Sequence, residues 1–252
     1  MSTKLRICIV VITIFTVLPL ILLTACKSDA GRLPLKQETA HAGFYSPNDN
    51  SNESVASLAE VFEENYERLA DLFRYTAEDK TIVHVYTDRN AFRKMIGRDT
   101  EGTYDGRDRM IKVYTPADLS DEGVKRHYNE QLVHEFVHQI IQQLSPDVGK
   151  VKWLDEGTAY YASGQLEEEM QRKTAYYDIP TLQQFADPGY FDQEGGAAYF
   201  YSGLVVKYIA DTYGVDTLNE IIRQPDLEHV EQILKMSIDR FFDAWHDTML
   251  NN

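Results

Sequence analysis

The chain has 252 residues, with 40 acidic against 25 basic side chains, a formal net charge of −15 and two cysteines. That balance argues against nucleic acid as a partner and against docking on anionic lipid through a basic patch, since both need clustered positive charge. Because the cysteines are Cys8 and Cys26, the chain beyond residue 26 can form neither an internal disulfide nor a thiolate metal site.

At the N-terminus, Lys4 and Arg6 precede an apolar run from Ile7 to Leu23 that ends in Leu23-Thr24-Ala25-Cys26. A basic start, an apolar core and small residues before a cysteine resemble the lipobox of bacterial lipoprotein signal peptides. The resemblance implies cleavage before Cys26, a lipid on its sulfur and a domain tethered to the outer face of the cell membrane. The alternative is an uncleaved anchor, although a run of 17 residues holding Pro19 is at the lower limit for a span. Both readings put the domain on the extracytoplasmic side. Cleavage would remove Lys4 and Arg6 but no acid, leaving 23 basic residues against 40 acidic ones.

Residues 26–52 read as a tether: charged, punctuated by Gly31, Pro34, Gly43 and Pro47, and without a sustained apolar period. About 200 residues then remain, enough for a single domain over 53–250 with one buried core. Val55, Leu58, Ala59, Phe62, Tyr66, Leu69, Leu72 and Phe73 keep to one stripe, predicting an amphipathic helix over 53–75. "TIVHVYTD" alternates with period two and predicts a strand, in which His84 reads as a structural histidine. A short helix near 89–96 follows, then a turn at Asp105-Gly106 before a second strand near 109–114. From residue 124 onward the pattern is helical, with breaks at Pro146, Gly149, Pro180, 188–196, Gly214 and Pro225. Strands first and helices after predict an α+β fold, a small mixed or antiparallel N-terminal sheet followed by a mainly helical part.

The chemistry concentrates in "QLVHEFVHQI", residues 131–140. On a helix, Leu132, Val133, Phe136, Val137, Ile140, Ile141 and Leu144 form the buried half, while His134 and His138 fall just past its edge with Glu135 beside them. Two imidazoles one turn apart can reach a single ion, and the carboxylate between them can hold a water. Glu156 in "WLDEGTAYYASG" is a candidate third ligand, because the turn holding Pro146 and Gly149 returns the chain alongside the first helix. The small residues Gly157, Ala159, Ala162 and Ser163 are expected to let these two helices approach closely.

"HEFVH" followed after 17 residues by the glutamate of "WLDEGTAYY" resembles the gluzincin metallopeptidases, and most of all their peptidase MA-like domains. "AAYFYSGLVVKYIADTYG" at 197–214 and "SIDRFFDAWHDTM" near the terminus are similar to that family's later helices. The resemblance implies a zincin-type domain in which one zinc ion is held by His134, His138 and Glu156, with Glu135 as general base. It further implies a tyrosine that stabilises the carbonyl oxygen, for which Tyr199 aligns best and Tyr201 second. The strand at 109–114 would be either the cleft edge that pairs with an extended peptide or an interior strand. One position departs from the family: relatives carry a carboxylate four residues after the zinc glutamate to orient a ligand histidine, and here Tyr160 stands there. Orientation must then fall to another group, Asp155 or a backbone carbonyl.

Other features read as structural. Asp99, Glu101, Asp105 and Asp108 lack the spacing of a calcium loop. His127, His229 and His246 have no partner at ligand spacing, and Trp245 with Ile238, Phe241, Phe242 and Met249 forms a core stripe. The expected protein is therefore a lipid-anchored zinc peptidase acting on peptide or protein substrates. The alternative is a zinc-binding scaffold or peptide-binding module of the same fold without turnover. The acidic balance would weakly disfavour acidic substrates.

Overall fold

The structure is a computed structural model whose described residues are 33–47, 51–172, 178–187 and 189–250. The expected signal segment, the lipidation site Cys26 and the first part of the tether lie outside them.

Five strands, Leu35–Glu38 (β1), Ala42–Tyr45 (β2), Thr81–Tyr86 (β3), Gly102–Asp105 (β4) and Met110–Tyr114 (β5), make one mixed sheet in the order β1-β2-β3-β5-β4. The parallel pairs are β2 with β3 and β3 with β5, while the two outer pairs are antiparallel. Alternation along β3 points Val83 and Val85 into the core, as the period-two pattern predicts.

In this sheet one expectation fails and one open alternative is decided. The tether over 26–52 does not reach residue 52, because 35–45 pairs into the sheet: Phe44 lies opposite Val83, and both Phe44 and Ala42 are fully buried. A turn closed by the Thr39 amide donating to the Ala42 carbonyl at 2.9 Å joins β1 to β2. Strands of four residues carry too little alternation to register as a pattern, so only pairing reveals them. The strand at 110–114, for its part, is interior, with Ile111 and Val113 buried between neighbours on both sides. The edge on this side of the sheet belongs to β4, which folds back on β5 with Thr103 opposite Lys112, and β1 forms the other edge.

Eleven α-helices are described, Asn52–Phe73 (α1), Arg89–Ile96 (α2), Glu122–Leu144 (α3), Lys152–Ser163 (α4), Gln165–Arg172 (α5), Leu182–Ala186 (α6), Tyr190–Glu194 (α7), Gly196–Tyr213 (α8), Val215–Arg223 (α9), Leu227–Leu234 (α10) and Ile238–Leu250 (α11), with a short 3-10 helix at Pro146–Lys150 between α3 and α4. The chain from Leu33 onward clusters as one unit. Among the described residues, no helix is long and apolar enough to cross a membrane.

The stripe on α1 faces α3, where Phe62 and Tyr66 meet Phe136 with ring centroids 4.4 and 5.7 Å apart. Asp121 starts α3 by accepting from the amides of Gly123 and Val124, both at 2.9 Å. The predicted apolar half of α3 is buried through Ile141, and so are His134, Glu135, His138 and Gln139, because α4 and β4 pack over the polar side, Gln165 meets His134, and Gln139 donates to Thr81 of β3. Gly157 does need a close neighbour, but that neighbour is α8: a Cβ there would lie 2.4 Å from the Ser202 carbonyl oxygen. Trp245, Phe241 and Phe242 on α11 are core, as their spacing predicts.

Candidate metal centre

His134 and His138, one turn apart on α3, aim their Nε2 atoms at each other across 3.1 Å. Glu156 on α4 completes a triangle, with Oε2 at 3.3 Å from each of those nitrogens. The three groups are buried, and their donor atoms lie within 4.8 Å of one another, so they could hold a metal ion. Two imidazole nitrogens and a carboxylate oxygen form a donor set that zinc accepts. Zinc bound tetrahedrally at about 2.0–2.2 Å sets such donors roughly 3.3–3.5 Å apart, so the observed triangle needs only a slight outward adjustment.

The far nitrogens keep the rings in this orientation. Nδ1 of His138 is 2.8 Å from Asp155 Oδ1, and Nδ1 of His134 is 2.8 Å from Gln165 Oε1. When Nδ1 carries the hydrogen of each bond, Nε2 presents its lone pair to the centre of the triangle. Asp155 thus does what Tyr160 at the departing position cannot, and Tyr160 bonds through its hydroxyl to Glu169. Gln142 steadies Asp155 from α3, its amide donating to Oδ1 at 3.3 Å. On the outer side of Glu156, Oε1 pairs with Lys152, which leaves Oε2 for an ion.

Charge in the site follows from this arrangement. Burial disfavours a positive charge on His138, but Asp155 and Glu156 outweigh it and hold the imidazole well above the ordinary histidine value. Burial likewise opposes ionisation of Glu156, but His138 and His134 hold it well below the usual carboxylate range. Glu135 goes the other way, raised chiefly by burial, and its Oε1 accepts from Gln131 Nε2 at 2.8 Å.

A cavity of about 400 Å³ opens over the triad, bounded by β4, α3, α4 and the start of α8. Tyr199 lines it, 6.5 Å between ring centroids from His134, and burial followed by the charge of Glu156 raises its hydroxyl pKa strongly. Tyr201 points elsewhere and packs against Trp245 in the core, 6.4 Å between centroids. The remaining histidines lie apart from the triad: His127 bonds to Glu101 at 2.6 Å, and His84 stands edge-on to Tyr45.

Several cavity residues were not singled out from the sequence. Gln131 and Gln165 carry no pattern of their own, since a glutamine becomes a positioning residue only when folding sets it beside an imidazole or a carboxylate. Gly102 looks like an ordinary turn residue until β4 is seen to lie over Glu135. Only their spacing from the motif, one turn before Glu135 for Gln131, was available as a signal.

No protein-family model matches this chain, and a search of the curated proteins finds no match.

Proposed function

We propose that the protein is a membrane-anchored, extracytoplasmic zinc metallopeptidase of the gluzincin kind. The observation that carries this reading is the triangle of His134, His138 and Glu156 donor atoms with the Glu135 carboxylate beside it in one open cavity. A zinc ion held there would supply Lewis acidity, acidifying water and polarising a substrate carbonyl.

The protein's own groups do the rest. Glu135, with Oε1 fixed by Gln131, takes a proton from the attacking water and passes it to the amine nitrogen that leaves. Tyr199 remains a neutral hydroxyl and donates to the carbonyl oxygen as negative charge develops on it. The open edge of β4, whose Gly102, Thr103 and Tyr104 line the cavity, offers main-chain hydrogen bonds to an extended peptide. The anchor is the lipid expected on Cys26.

The test is metal analysis of the purified full chain together with cleavage of a peptide library, with and without chelator. We expect one zinc per chain and chelator-sensitive cleavage that falls by at least about a thousandfold in Glu135→Gln while zinc is retained. A zinc-loaded protein that cleaves nothing before or after that change would favour the scaffold reading. Mass analysis of the membrane-extracted protein tests the anchor, since a lipid-modified N-terminal Cys26 has a characteristic added mass.

A further inference from the structure

Two cations line the cavity, Arg98 and Lys152. Lys152 is engaged: its ammonium pairs with Glu156 and lies 5.7 Å from the centroid of the Phe191 ring. The carboxylates in the cavity wall are engaged too. Glu101 holds His127 and lies 3.6 Å from Arg89, Asp155 holds His138, and Glu135 accepts from Gln131.

Arg98 differs from all of these. It sits in the loop between α2 and β4 and is exposed, and it forms no hydrogen bond or ion pair among the described residues. Arg93, Lys94, Lys125, Lys235 and Arg240 also lack such a partner among the described residues, but none of them lines this cavity, whereas Arg98 does. Its neighbour Asp99 faces Arg89 instead, at 3.7 Å. From across the cavity its positive charge reaches Tyr199, working against the upward push on that hydroxyl. A guanidinium without a partner, on the rim of a cleft and close to the reacting groups, is a receptor for a planar anion, because its fork of donors matches a carboxylate.

We propose that Arg98 is a specificity-determining residue that selects peptides carrying a carboxylate near the cleaved bond. This rests on the peptidase reading and narrows its substrate class. The carboxylate can come from an acidic side chain within about two residues of the bond, a reach of roughly 7 Å along an extended chain, or from the substrate's own C-terminus. The acidic surface of the protein repels such substrates at long range, and Arg98 offsets this locally by a bidentate contact at short distance.

The test compares kcat/KM of the zinc-loaded full chain on matched peptides. One pair has glutamate or glutamine next to the cleaved bond, and a second pair has a free or amidated C-terminus. Wild type should prefer the anionic member of at least one pair by about tenfold, and the pair that responds identifies the source of the carboxylate. Arg98→Gln should bring that ratio to about one, chiefly through KM, and Arg98→Lys should keep part of it.

A wild-type ratio near one, or equal loss on both members of a pair in Arg98→Gln, overturns the proposal. Fluorescence anisotropy with the same labelled peptides, on Glu135→Gln with and without Arg98→Gln, reads binding independently of turnover. If nothing is cleaved but the anionic peptide binds more tightly through Arg98, the enzymatic reading fails and the selection stands. Cleavage without charge preference removes the selection alone, and absence of binding by either peptide removes it as well.

Discussion

A Cβ on Gly102 would lie 2.5 Å from Oε1 of Glu135 and 2.8 Å from its Cγ. The free strand β4 therefore lies directly over the motif helix, and only a residue without a side chain lets the carboxylate keep its place beside the triad. Gly102→Ala should push Glu135 aside, lowering kcat by about tenfold or more while zinc content is unchanged. Parallel metal analysis and cleavage assays check this. Zinc lost along with activity would show that the strand supports the whole centre rather than the base.

Asp155 and Gln165 hold the two imidazoles by their Nδ1 atoms, each at 2.8 Å. Asp155→Ala and Gln165→Ala should each weaken zinc binding by about 10- to 100-fold, the usual effect of removing the partner of a metal-bound histidine. Asp155→Ala should have the larger effect, since it removes a charge as well as an acceptor. Competition against a chelator of known affinity gives the numbers, and unchanged affinity in both variants would refute this account of ring orientation.

Helices α4 and α8 meet where a Cβ on residue 157 would stand 2.4 Å from a backbone carbonyl oxygen and 2.6 Å from its carbon. Backbone cannot swing away as a side-chain tip can. Gly157→Ala should thus destabilise the fold by about 1–3 kcal/mol, despite the gain of about 1 kcal/mol that alanine normally brings to a helix interior. Thermal unfolding should give a melting temperature several degrees lower.

Glu130 on α3 faces Glu168 on α5, which Arg126 and Arg172 also contact. Burial, then sharing a proton with Glu168, raises the Glu130 carboxyl to about 7. A raised carboxyl stabilises the fold in its protonated form, fully below about pH 4.5, and this contribution fades as pH rises through about 7. Glu130→Gln should therefore leave stability nearly unchanged at pH 5 and raise it by about 1 kcal/mol at pH 8, after allowance for solvent screening. Chemical unfolding at the two pH values measures the difference, and an equal change at both would refute the shared proton.

Tyr199 lines the cavity, whereas Tyr201 packs on Trp245. Tyr199→Phe should lower kcat by about ten- to a hundredfold with little change in melting temperature. Tyr201→Phe should leave kcat within about twofold. Steady-state kinetics on both variants separates the two tyrosines.

What the sequence determined by itself is periodic or local. The stripe from Val55 to Phe73, the alternation of Thr81 to Tyr86 and the apolar half of the HEFVH helix each repeat at the spacing of one element, so these elements were legible in their order, whereas β1, β2 and β4 were not. The pairing of His134 with His138 was legible too, because one helical turn fixes their separation. Tertiary structure decided everything that depends on neighbours distant in the chain. It drew 35–45 into the sheet, settled 110–114 as an interior strand with 102–105 at the edge beside it, and turned Gly157 toward α8 rather than α3. It also recruited Gln165 to His134 from 31 residues away. The physical reason is that four-residue strands, glutamines and glycines have little preference of their own. Their roles come from hydrogen bonds and close approaches that exist only once the chain has folded.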